Sequence, residues 1–408
     1  MRYGGADEAR HGGLFRGARV TSKALSLELL DNRYPSLHGL RVLAIVSVVQ
    51  FHVTWIFAGE QGIRLDRDFT ASSLTVFFGM DLFFMLSGFL IGLILLRSLA
   101  KYGTQNLKRF YIRRVARTFP SYYVVLTFLA VTTSLTASQL KHLPWEYFYG
   151  TNFMSLLRSD IVMFWGWSLA LEEQFYLTVP ILFFILHHLK SDRARLILLT
   201  SVWLLALVIR LYIFLHRSPW TDLSLYEALY FRPHTRFDTL VAGLILAFVH
   251  HRWGNEVTEW LKAPFHRALL GLMSLGCLWL LVQPYMFGKQ HVQLVHVFAW
   301  GTVTSIMYFG WLLLLLHGDT AGWIHRALSL SIFRRIATLG YGVYLVHIPL
   351  CDHVIVPAAR FLERRHWPMG VVWPAALLGL MVTSLALAYV MHVVIEKPSL
   401  RVRERLAG

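Results

Sequence analysis

Long apolar runs divide this chain of 408 residues into segments joined by short polar stretches. A helix needs about 20 mainly apolar residues to cross a bilayer. Ten runs reach or approach that length: 39–58, 74–96, 118–136, 169–189, 195–215, 236–250, 267–285, 294–316, 336–357 and 371–395, the sixth being short. The pattern predicts an all-α polytopic membrane protein with about ten transmembrane helices. Residues 36–400 would form one membrane domain between an N-terminal tail, 1–35, and a C-terminal tail, 401–408.

Basic residues orient the helices. Arg97, Lys101, Lys108, Arg109, Arg113, Arg114 and Arg117 fall between the second and third runs with no acid among them. Cytoplasmic loops collect Lys and Arg, so this loop and both termini are expected in the cytosol. The stretch from His317 to Arg335 and the ending EKPSLRVRERL agree. Arg360, Arg364 and Arg365 run against the rule, and the larger cluster decides. The two long outer loops, 137–168 and 216–235, carry Trp145, Trp165, Trp167 and Trp220, which suit an interfacial aromatic belt.

Composition narrows the class. The chain is 56% hydrophobic and 15% charged, whereas soluble domains are about a quarter charged. A net charge of +16 would suggest nucleic acid in a soluble protein. Here the cations sit in short loops, so the expected partner is a lipid bilayer and nucleic acid is not expected. Cys277 and Cys351 lie in apolar runs with neither metal spacing nor a disulfide framework, and no metal is expected. The first thirty residues hold no sustained apolar run and do not read as a signal peptide.

Polar residues inside the runs carry the candidate chemistry, because ionisable groups in a membrane are costly. Arg41 and His52 are eleven residues apart in the first run. On a helix they share nearly one face, roughly 16 Å apart along the axis. Asp81 lies about two turns into the second run, which also offers Ser87, Gly88 and Gly92 for close helix packing. Glu172 and Glu173 open the fourth run and point different ways, so at most one is expected to face the bundle. Arg236 and Asp238 begin the sixth, and the ninth holds Tyr341 and His347. His52, Asp81, Glu172, Arg236 and Asp238 are thereby expected at one outer depth, in a polar chamber. At the inner face Arg114 and Arg117 share one side of any helix they form, with Pro120 in an early turn of the third span. They fix topology and touch anionic lipid, or they form an anion site suited to phosphates.

Seven stretches in order resemble the integral-membrane acyltransferase-3 family: Arg41 with His52, GMDLFFMLSGFLI (79–91), FYIRRVARTFPSYY (110–123), WSLALEEQFYL (167–177), RFDTLVAG (236–243), YGVYLVHIPL (341–350) and EKPSLR (396–401). The resemblance covers about 35 to 400. It implies ten helices and transfer of an acyl group, often acetyl, from cytosolic acyl-CoA to a hydroxyl of a carbohydrate or glycolipid acceptor, commonly at the outer face. By matching motifs, His52, Arg41, Glu172 and Asp81 become catalytic candidates. Arg114 and Arg117, with Arg113 beside them, become donor-binding candidates, and Arg236, Asp238, Tyr341 and His347 substrate-binding ones. One departure stands out: Leu37 to Leu40 offers no acid where the family often has one before Arg41.

The chemistry expected is general-base catalysis by His52, whose ordinary pKa suits removal of a hydroxyl proton. Asp81 or Glu172 would orient the ring, and an acyl-histidine relay is the fallback. The rival class is a multi-span transporter that uses the same residues for proton or substrate coupling. The sequence leaves the acceptor, the acyl group and the oligomeric state open.

Overall fold

The computed structural model describes residues 27–406 apart from 64, 103–105, 156, 218–219, 221, 288–296 and 320–321. Most of the predicted N-terminal tail, the start of the eighth predicted span and the last two residues lie outside the described residues.

Among the described residues, ten helices of 14 residues or more follow the ten predicted runs: α1 Ser36–Trp55, α2 Gly79–Tyr102, α3 Leu107–Thr132, α4 Trp167–His188, α5 Asp192–His216, α6 Asp238–Trp260, α7 Pro264–Phe287, α8 Thr304–His317, α9 Ser331–Leu350 and α10 Met369–Met391. No strand occurs among the described residues. This is what hydrocarbon demands of a backbone, since a helix satisfies its own hydrogen bonds. Among the described residues nine helical stretches are long and apolar enough to cross a membrane. The exception is α6, the run read as short. Its apolar stretch ends at Val249, and His250, His251 and Arg252 continue the helix as a polar extension. Phe128, Val131, Ile181, Phe184, Leu215, Leu272 and Leu378 are exposed on the outside of the bundle, where lipid would cover them.

Close contact between α2 and α6 rests on glycine. A Cβ on Gly88 would strike the Leu240 carbonyl, and one on Gly243 the Met85 carbonyl. Two apolar cores flank this seam: Leu82, Met85, Phe89, Leu246 and Met307 on one side, and Val49, Phe84, Leu126, Val343 and Leu380 on the other.

Three expectations change. The basic stretch before the third span is helical from Leu107, because the Asn106 side chain caps it by accepting the Arg109 N–H at 3.0 Å. Pro120 is therefore inside α3 and not in an early turn. Trp165 and Trp167 are buried in the bundle rather than placed in an interfacial belt, while Trp145 is exposed. Finally, the end of the predicted tail packs on the bundle. Leu30 O accepts from Arg334 Nε at 2.7 Å, the Glu28 N–H meets His392 Nε2 at 3.1 Å, and Tyr34 OH accepts from Arg97 at 2.8 Å.

Candidate active site

Helices α1, α2, α3, α4 and α9 enclose a cavity of about 330 Å³, in the size range of small-molecule clefts. Arg41, Arg114 and Arg117 line it, joined by Arg33 and Arg97. Arg114 and Arg117 lie three residues apart on α3, so one helix face delivers both. Arg113 is exposed, lies about 100° around the helix and does not line the cavity, so it leaves the expected donor set. The signal for Arg97 was present in the basic cluster, where it served only to fix topology.

Above the arginines the cavity wall changes character. Tyr176 OH lies 2.6 Å from Ser87 Oγ, and the Arg114 guanidinium sits 5.5 Å from the centre of the Tyr176 ring. Glu172 faces Ser87 and Tyr176, and Glu173 faces Thr118, whose carbonyl accepts from Tyr341 OH at 2.9 Å. Of the two carboxylates, Glu172 lines the cavity and Glu173 does not. One turn further along α4, Ser168 Oγ lies 2.5 Å from Tyr344 OH, which donates to Trp165 O at 2.7 Å.

Tyr344 leads to a pair of histidines. His347 is fully buried, and its Nδ1 lies 2.7 Å from Tyr344 O. A carbonyl only accepts, so His347 Nδ1 carries the proton and Nε2 is left as an acceptor. His347 Nε2 lies 3.2 Å from His52 Nδ1, which also sits 2.9 Å from Val48 O. Both of these partners accept, so His52 Nδ1–H donates between them. His52 Nε2 keeps its lone pair, the form a general base requires. His347 is therefore the ring that orients His52. Neither Asp81 nor Glu172 is hydrogen-bonded to it.

Beyond His52 the polar groups come from loops. Arg158 Nε pairs with Glu60 at 2.8 Å, and its Nη1 pairs with Asp352 at 2.8 Å. Its guanidinium lies over Phe164 and Trp55, 4.8 Å and 5.6 Å from the ring centres, and the Trp55 ring is 6.5 Å from that of His52. The loop 137–168 is thus tied to the ends of α1 and α9. Nothing in the sequence pattern marks Arg158, Glu60 or Asp352, because their pairing is made entirely by tertiary contact. Arg360 donates to Gln61 O at 3.1 Å and Gln61 Oε1 at 2.8 Å on the same side.

The remaining candidates form a separate structural girdle. Asp81 pairs with Arg236 at 2.9 Å and accepts from Thr239 Oγ1 at 2.9 Å. Arg236 also lies 4.5 Å from the centre of the Tyr230 ring. Asp238 pairs with Arg210 at 2.8 Å, and Arg210 donates to Val297 O and Thr302 Oγ1. Gly301, at φ +100°, leaves room for the Asp238 carboxylate, which a side chain there would strike. All four ionic side chains are fully buried. The expected single polar chamber is therefore three groups: the girdle, the Glu172 wall and the histidine pair. The cause is pairing, since buried charges persist only with partners. Arg210, the one charged residue in the interior of the fifth apolar run, was the sequence signal for a buried acid partner.

Residues 34–393 match the family described as an acyltransferase domain, acyltransferase-3. The chain belongs to this acyltransferase family. It is 29% identical over 357 residues to the peptidoglycan O-acetyltransferase OatA of Listeria monocytogenes, covering 82% of this chain and 51% of that one. It is 26% identical over 340 residues to a Bacillus subtilis protein named "Putative peptidoglycan O-acetyltransferase YrhL", covering 78% of this chain and 49% of that one. A Staphylococcus aureus protein named "Putative O-acetyltransferase" is also 26% identical, over 340 residues, covering 78% and 51%. The chain spans about half the length of the curated relatives it matches. No solved structure matches it. Within this acyltransferase-3 chain, Leu37 to Leu40 carries no acid, and Glu172 of α4 lines the same cavity as Arg41. The chain is an integral membrane protein, as its apolar helices and its family both require.

Proposed function

We propose that the protein is a membrane O-acyltransferase that moves an acyl group, acetyl by preference, from cytosolic acyl-CoA to a hydroxyl of a cell-envelope carbohydrate. Family membership supports acyl transfer, and the names of the relatives support O-acetylation of a peptidoglycan sugar. The observation that carries the donor reading is the run of Arg33, Arg97, Arg114, Arg117 and Arg41 along one cavity that continues to Tyr344. Guanidinium forks suit the phosphates of coenzyme A. The arginine end faces the cytosol in this reading, in keeping with the basic cluster. The pantetheine arm runs from Arg41 toward His52, roughly 16 Å along α1.

At the far end the acceptor hydroxyl arrives past Arg158, Trp55 and Phe164. Its oxygen attacks the thioester carbonyl carbon while its proton passes to His52 Nε2. The C–S bond then breaks, and coenzyme A leaves as thiolate and takes up that proton. The imidazolium formed in between keeps its Nδ1–H on His347 Nε2 and Val48 O, so the ring does not reorient as it charges. Direct transfer needs no acyl-histidine, and the pairing of His52 Nδ1 leaves Nε2 as the one nitrogen for the proton.

The test is transfer itself. Purified protein in liposomes, given labelled acetyl-CoA on one side and muropeptide disaccharides on the other, should produce acetylated sugar. Unlabelled sugar with intact acetyl-CoA would overturn the reading.

A further inference from the structure

Between the arginine-lined cavity and the histidine pair lies a second void of about 10 Å³, room for one methyl- or water-sized group. Ile45, Phe83 and Tyr344 belong to the walls of both voids, so the small one is the next empty volume on the way to His347. Val48 and Val49 of α1 and Val343 of α9 form its other sides. Val48 and Val49 stand one turn below His52 on the same helix.

The void suits hydrocarbon rather than water. A buried water needs two to four polar partners, and the polar atoms at this wall are already engaged. Tyr344 OH donates to Trp165 O and lies against Ser168 Oγ. His347 uses Nδ1 on Tyr344 O and Nε2 on His52. What remains is a small apolar niche beside His347.

We propose that this niche seats the alkyl end of the donor's acyl group and sets its length, with Val49 and Val343 as the selecting residues. The proposal rests on the acyl-CoA reading above and names the acyl class within it: two carbons fit, with the methyl in the niche and the thioester carbonyl at its mouth, on the side of the arginine-lined cavity. Each added methylene must displace packed side chains. Val49 and Val343 are almost fully buried, and a close-packed wall yields little.

The experiment uses the full chain in liposomes with acetyl-, propionyl- and butyryl-CoA, muropeptide disaccharides as acceptor, and release of coenzyme A thiol as readout. Preference is taken as the ratio of kcat/KM values within one preparation, which cancels differences in folded fraction. The wild type should favour acetyl over propionyl by about 10–200-fold, the discrimination one methylene allows. Val49→Ala and Val343→Ala should each move the ratio toward propionyl by about tenfold or more. Val49→Leu should suppress acetyl turnover while acetyl-CoA still binds. An unchanged ratio in both alanine variants would overturn the niche and leave the donor reading intact. Turnover of no acyl-CoA by the wild type would overturn the donor reading itself.

Discussion

His347 Nε2 lies 3.2 Å from His52 Nδ1, and this contact between α9 and α1 fixes which nitrogen of His52 is free to take a proton. His347 is in turn fixed by the Tyr344 carbonyl. In the proposed mechanism the pair works as base and positioning residue without a carboxylate.

His347→Ala should therefore lower kcat and leave the KM for acyl-CoA little changed. One hydrogen bond to a charged group contributes about 1.5–3 kcal/mol, which corresponds to roughly a 10–150-fold loss of rate. Steady-state kinetics separate the two constants. A raised KM at constant kcat would return His347 to a substrate-binding role.

Arg114 and Arg117 line the cavity proposed for the donor, and Arg113 does not. The Arg114→Ala, Arg117→Ala double variant should weaken acyl-CoA binding by about a hundredfold or more, given the strength of charge-assisted bonds to phosphate. Arg113→Ala, outside the cavity, should change it by no more than about twofold. Binding to protein in nanodiscs, repeated at several salt concentrations, checks both. Equal effects of all three would show that net charge at the surface, not the cavity, holds the donor.

In the proposed mechanism the buried Asp81–Arg236 pair is a brace, apart from the reacting centre. Removing one partner of a buried pair costs about 3–5 kcal/mol. Asp81→Asn should lower the thermal midpoint and the yield of monodisperse protein before it affects the rate per folded molecule. Size-exclusion chromatography on heating, set beside specific activity, distinguishes the cases. A well-folded but inactive Asp81→Asn protein would restore the catalytic reading of this residue.

Glu146, in the short helix Ala137–Tyr147 between two membrane spans, is fully buried and accepts the N–H groups of Val162 and Met163 at 2.9 Å and 2.8 Å. Burial pushes its carboxyl up to about 7, against those two donors. An unfolded glutamate titrates near about 4.3. Between these values the folded state holds the proton and the unfolded state has lost it, so this group's contribution to stability falls as pH rises from about 4.3 to about 7, then levels off. Thermal unfolding in detergent at pH 5 and pH 8 should show that fall in the wild type and a smaller one in Glu146→Gln. Equal slopes in both proteins would contradict the assignment.

The sequence made the helices readable because lipid imposes one pattern, an apolar run of fixed length. It marked Arg41, His52 and Glu172 because charge in such runs is conspicuous, and Arg114 and Arg117 because an acid-free basic cluster between two runs is. Depth and pairing were another matter. Asp81 and Arg236 look like site residues for the same reason His52 does, and only the contact between their elements shows that they neutralise each other. Trp165 and Trp167 read as interfacial because their loop is long, yet that loop folds inward and begins α4 within the bundle. Glu60, Arg158 and Asp352 left no periodic signal, since each sits at a helix end or in a loop where many charged residues are merely solvated.

In the proposed function, phosphate recognition at one end of the bundle serves an imidazole at the other. The most direct measurement is labelled acetyl transfer by His52→Ala protein in liposomes, with acetyl-CoA binding measured on the same sample. The account predicts binding close to that of the wild type and transfer reduced by at least about a hundredfold. Undiminished transfer by the His52→Ala protein would contradict it.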